Sequence, residues 1–122
     1  MAKMTKKKIE KLATEIRDFM LDRELWIDTR IYFNGKAFST DDGNGHYAYN
    51  DPNNLYVLEN IDPHKYTEYA GDILTMTFEG PLYDMINYGD WPKAMERFNA
   101  ILDKYGVWYE LGEAWNLTLY EK

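Results

Sequence analysis

Apolar residues recur every three or four positions in two stretches of the chain and every second position in several others. That pattern predicts two amphipathic helices and a sheet. In the first helical stretch Ile9, Leu12, Ala13, Ile16, Phe19 and Met20 share one side, with Thr5 placed as the N-cap and Lys7, Glu10, Lys11, Thr14, Arg17 and Asp18 on the solvated side. In the second, Ala94, Met95, Phe98, Ile101, Leu102 and Tyr105 do the same, with Asp90 as the expected N-cap, Pro92 in the first turn and Gly106 as the residue that ends it. Between Gly80-Pro81 and Gly89, the positions of Leu82, Met85 and Ile86 predict a shorter third helix.

The period-two segments fill the rest. Over 26–33, Ile27, Thr29, Ile31 and Phe33 alternate with Trp26, Asp28, Arg30 and Tyr32, and Asn34-Gly35 leads directly into 36–40. Asn-Gly accepts the positive φ angles of a type I′ turn, so these segments read as a hairpin. Residues 41–54 have loop composition, with Tyr47 and Tyr49 extending the hairpin briefly. A third strand is expected over 55–61, a helical turn opened by Asp62-Pro63 and running through His64, Tyr66 and Tyr69, and a fourth strand over 72–79. Segments 107–111 and 114–120 suggest a closing hairpin in which Gly112 takes the first position of a type II′ turn. The expected fold is α+β: an antiparallel twisted sheet of about four to six strands, with two long helices packed on one face plus a short helix. Residues 1–122 read as one domain, with 1–5 as a flexible end.

Composition makes such a core affordable without staples. A chain of 122 residues hides roughly two-thirds of its unfolded surface. At 45% hydrophobic and 16% aromatic it is no disordered acidic tail. The absence of cysteine excludes disulfides, thiol nucleophiles and Cys-ligated metal centres. No apolar signal region follows Met1 and no run is long enough to cross a bilayer, so a soluble cytoplasmic protein is expected.

Charge changes the picture more. The net charge is −7, yet residues 1–12 hold five lysines against Glu10 alone. From Ala37 to Pro92 the single basic residue is Lys65, set against Asp41, Asp42, Asp51, Glu59, Asp62, Glu68, Asp72, Glu79, Asp84 and Asp90. A surface built from that stretch repels phosphate backbones and attracts basic partners.

Candidate chemistry is sparse. Ser39, Asp41, Asp42 and His46 are close in sequence, but Phe38-Ser39-Thr40 lacks the glycines of a nucleophile elbow. A calcium loop from Asp42 fails its register: the sixth position is Tyr47 and the twelfth Asn53, where Gly and Glu are required. His46 and His64 form no metal-ligand pair. No catalytic residue, metal or cofactor is therefore expected. With 21 acidic residues, any chosen carboxylate pair carries no information about glycoside chemistry.

What remains is the coupling of acids to tyrosines, a residue common at interfaces because it is large, fairly rigid and amphipathic. The leading expectation is a non-enzymatic protein that binds a basic protein surface through Asp41, Asp42, Asp51, Glu59, Asp62, Glu68, Asp72, Tyr47, Tyr49, Tyr66 and Tyr69. Its sharper form is a nucleic-acid mimic that occupies the groove of a nucleic-acid-binding protein, as small anti-restriction and anti-CRISPR inhibitors do, by analogy of charge and size only. Such a protein contacts neither nucleic acid nor membrane directly. One alternative is a small-molecule or saccharide-binding domain or enzyme, with a pocket between sheet and helices lined by Trp26, Trp91, Trp108 or Trp115. Another is a structural homodimer joined through an edge strand or apolar patch.

Overall fold

Helix α1 (Lys6–Asp22) starts where the sequence places it: the Thr5 side chain accepts the Lys8 N–H at 3.1 Å, and Ile9, Leu12, Ala13, Ile16, Phe19 and Met20 form its buried face. A computed structural model describes residues 4–122 of the protein, and the expected flexible end falls largely outside them. Helix α3 (Pro92–Lys104) buries Ala94, Phe98, Ile101 and Leu102, and its Phe98 ring stacks on Phe19 of α1 at 6.1 Å. The N-cap of α3 is Trp91 at φ 55°, not Asp90. The chain is still turning at Trp91 after the left-handed Gly89, and the Trp91 carbonyl takes the first helical bond, from Met95. The shorter α2 (Pro81–Tyr88) buries Leu82 and Met85 in the same core.

Six strands, β1 (Thr29–Phe33), β2 (Lys36–Ser39), β3 (Tyr56–Leu58), β4 (Leu74–Phe78), β5 (Val107–Leu111) and β6 (Asn116–Glu121), form one sheet in the order β3-β2-β1-β4-β6-β5. Every neighbouring pair is antiparallel. The fold is α+β, as the patterning predicts. The inner face presents Ile31, Phe33, Phe38, Leu74, Met76, Phe78, Val107, Leu117 and Leu119 to the helices. Several expected segments are shorter: β1 starts at Thr29 because Asp28 sits at φ 49° and bends the chain, which leaves Trp26 buried in the core instead of alternating along a strand. The expected strand at 55–61 keeps only three residues, and the turn after Asp62 is a 3-10 turn over Pro63–Lys65 that ends before Tyr66.

Both hairpins close, one differently from expectation. Asn34 and Gly35 have φ 49° and 77°, the signature of a type I′ turn. Between β5 and β6 the connection is four residues, and Gly112 is not at positive φ. Asn116 widens it: its side-chain oxygen accepts the Glu113 N–H at 3.1 Å and its own N–H reaches the Glu113 carbonyl.

The segment 59–73 joins edge strand β3 to central β4 by crossing the sheet face opposite the helices. Tyr66 stacks on Tyr32 at 5.8 Å, the Thr118 hydroxyl donates to the Tyr69 carbonyl at 2.7 Å, and the Gly71 N–H donates to the Thr75 hydroxyl at 3.2 Å. This explains an outer face made of Ser39, Thr75, Thr77, Asn116 and Thr118. A covering strap brings its own backbone polar groups, and hydroxyls satisfy them where aliphatic side chains would leave them unpaired.

Candidate functional site

Strand alternation sends Ile31 and Phe33 into the core and Arg30 and Tyr32 to the outer face. Arg30 donates to both Asp41 oxygens, Nε at 3.1 Å and Nη2 at 2.9 Å, while Nη1 lies 3.4 Å from the Tyr32 hydroxyl and the guanidinium sits 5.3 Å from the Tyr66 ring centre. Asp41 also accepts from the Ser39 hydroxyl at 2.5 Å and the Gly43 N–H at 3.1 Å. Burial alone would raise the Asp41 pKa, but these donors and the Arg30 charge outweigh it and hold the carboxyl below its ordinary value. Asp41 and the Tyr32 hydroxyl in turn keep Arg30 charged against its own desolvation.

Around this ion pair lies a recess of about 410 Å³. Arg30 and Thr77 form its floor, Tyr47, Tyr66 and Trp115 its walls, and Asp28 and Glu79 its rim. Three connections supply the walls: the 40–55 loop, the strap and the β5–β6 turn. Asp28 accepts the Tyr49 hydroxyl at 2.6 Å, and that bond pushes the Tyr49 phenol up to about 12. Glu79 is exposed and joins no ion pair among the described residues. Asp28, Glu79 and Asp41 thus stand against a single guanidinium. Tyr66 and Trp115 also line an adjoining shallow recess of about 260 Å³ with Glu68, Glu113, His64 and Lys65.

The expected contact residues divide into three groups. Asp41, Tyr47 and Tyr66 meet at the recess, Tyr49 reaches its rim through Asp28, and Glu68 lies in the adjoining hollow. Asp42 is engaged with the Asn44 and His46 N–H groups and the His46 ring, Asp51 with Asn53 and Asn54, and Asp62 with the His64 N–H, so these three shape their own loops. Glu59 follows β3 at the sheet edge near Lys36, Asp72 is exposed before β4, and Tyr69 lies over Gly112. Arg30, Asp28 and Glu79 are absent from that expected set. Glu79 belongs to the acidic stretch of 37–92, and Asp28 and Arg30 to the polar side of the first strand pattern, but no local signal shows that the three meet.

The four tryptophans of the alternative reading do not gather between sheet and helices. Trp26 is sealed in the core and Trp91 and Trp108 are exposed elsewhere, whereas Trp115 lines a recess on the opposite side of the sheet. The Ser39 hydroxyl bonds Asp41 whereas His46 bonds Asp42, so these residues form no relay. Among the described residues no group of three His, Asp or Glu side chains is arranged to hold a metal ion, and no helix is long and apolar enough to cross a membrane. Comparison with known proteins adds no relative. The chain matches no family model, no curated protein and no solved structure.

Charge follows the layers. Helices α1 and α3 together hold eight Lys/Arg and six Asp/Glu, and the remaining described residues hold five and fifteen. The bases of α1 leave the acidic stretch alone: among the described residues no ion pair joins α1 to a carboxylate of 37–92. Glu10 and Glu15 of α1 instead pair with Lys36 and Lys104, both at 2.8 Å.

Proposed function

We propose that this is a small acidic binding protein, without catalytic activity, whose outer sheet face takes a basic surface of another protein and seats one Lys or Arg side chain of that partner in the Tyr47–Tyr66–Trp115 recess. The carrying observation is the grouping of Asp28, Asp41, Glu79, Glu68 and Glu113 around two shared aromatic side chains, Tyr66 and Trp115. A cation with an apolar stem gains from such a site twice, over the aromatic faces and against the carboxylates, by about 0.5–2 kcal/mol for the aromatic share. Solvated acidity spread for solubility would not require aromatic walls.

In its sharper form the partner is a nucleic-acid-binding protein, and this face competes with phosphates for its groove. Glu68→Lys/Glu79→Lys/Glu113→Lys is the informative triple variant, because none of the three caps a turn or pairs with Arg30. The wild type should hold its partner on a column, release it as salt rises, and release it to added duplex DNA or RNA; the triple variant should retain none. Partner retention by the triple variant at wild-type level contradicts the proposal, and retention insensitive to nucleic acid contradicts mimicry.

A second reading rests on the recess volume, which lies in the range of about 300–1,000 Å³ usual for small ligands. Trp115 with Arg30 and Thr77 also suits a saccharide. That reading predicts thermal stabilisation by a neutral sugar that persists at high salt, an outcome the charge-based reading does not give.

A further inference from the structure

The two edges of the sheet differ. At one end β3 has three residues followed by Glu59, a short and charged form that resists further pairing. At the other end β5 is Val-Trp-Tyr-Glu-Leu, rich in strand formers and carrying no lysine, proline or bulge. Its backbone parity can be read from its partner. The Gly112 N–H donates to Asn116 at 3.2 Å and the Lys122 N–H to Gly106 at 3.0 Å, so even-numbered residues turn their polar groups toward β6. Val107, Tyr109 and Leu111 turn theirs to the open edge, where no described residue pairs with them.

We propose that two copies of this chain join at β5, edge to edge about a two-fold axis through Tyr109, so that one sheet runs across both molecules. The register is self-complementary. Val107 stands opposite Leu111 of the partner subunit, Tyr109 opposite its own copy, and all three facing pairs are of the hydrogen-bonded kind, giving roughly six bonds. On the outer side Trp108 stands opposite Glu110 of the partner subunit, so no like charges meet. Trp108 and Leu111, each 41% exposed in the single chain, become covered. A register shifted by two residues leaves end residues unpaired and brings no compensating contact.

This interface is separate from the recess and behaves oppositely toward salt. Each copy carries −7, so screening strengthens the dimer while it weakens capture of a basic partner. Sedimentation equilibrium of the purified protein tests it. The mass should rise from monomer to dimer with concentration, at lower concentration when sodium chloride is raised. Leu111→Pro removes an outward N–H and leaves the β6 ladder intact, and should raise the dissociation constant at least about tenfold. Leu111→Lys keeps every backbone group and should act in the same direction. Amide exchange gives the residue pattern: Val107, Tyr109 and Leu111 gain protection with concentration, whereas Trp108 and Glu110 are protected throughout. A monomeric mass at every concentration overturns the proposal, as does a dimer unaffected by both variants.

Discussion

Arg30 is held from several sides, and its removal would be felt through Asp41. With side chains 21% and 18% exposed, the two form a part-buried pair in which the carboxylate keeps Ser39 and Gly43 as donors but has one counter-charge. Arg30→Met should cost about 2 kcal/mol in urea unfolding, less than the 3–5 kcal/mol of a fully buried broken pair. The pH dependence follows from the lowered Asp41 pKa. Its stabilisation is complete above the ordinary carboxylate value of 3.8 and is lost as pH falls through the lower folded value. Arg30→Met should therefore flatten the acid limb of the stability curve. Tyr49 gives the opposite sign. With its phenol raised to about 12, its bond to Asp28 contributes fully below the ordinary value of 10.0 and is lost only as pH rises through the folded one. Ultraviolet titration should find several late-ionising tyrosines, with Tyr49 and Tyr105 both raised to about 12, and Asp28→Asn should bring down Tyr49 while leaving Tyr105 in place.

Among the elements, two glycines fix how connections lie against the sheet. A Cβ on Gly80 would stand 2.5 Å from the Ile27 carbonyl oxygen, which as backbone cannot swing aside. Gly80→Ala should destabilise by about 2 kcal/mol, read by denaturant midpoint at unchanged slope. On Gly112 a Cβ would collide with the Tyr69 ring and the Asn116 side chain, so Gly112→Ala should lift the strap from the sheet and speed amide exchange at Gly71, whose N–H donates to Thr75. The two long helices and the Asn34-Gly35 hairpin were legible in the sequence because local signals decide them: helical periodicity, Thr5 and two positive-φ residues in succession. The β5–β6 turn was not, because Gly112 serves the close approach of Tyr69 and not a positive φ angle. Strand ends were also misplaced where single residues such as Asp28 adopt conformations that alternation does not reveal.

For the molecule as a whole, the sequence reveals that acids and tyrosines concentrate between Ala37 and Pro92 but not which of them meet. The site joins Asp28, Tyr47, Tyr66, Glu79 and Trp115 from separate connections, and only the sheet order β2-β1-β4-β6 brings those connections together. Asp42, Asp51 and Asp62 share the same local composition and yet are spent on their own turns. Under the proposed function the outer face, and not the helical layer, receives a cationic side chain. The most direct measurement is to titrate the isotope-labelled protein with a short arginine-rich peptide and follow its amide and indole resonances. The expected shifts are salt-sensitive, confined to Arg30, Tyr47, Tyr66, Glu79 and Trp115 and their neighbours, and abolished in Glu68→Lys/Glu79→Lys/Glu113→Lys. Shifts spread over α1 and α3, or none at the Trp115 indole, would contradict it.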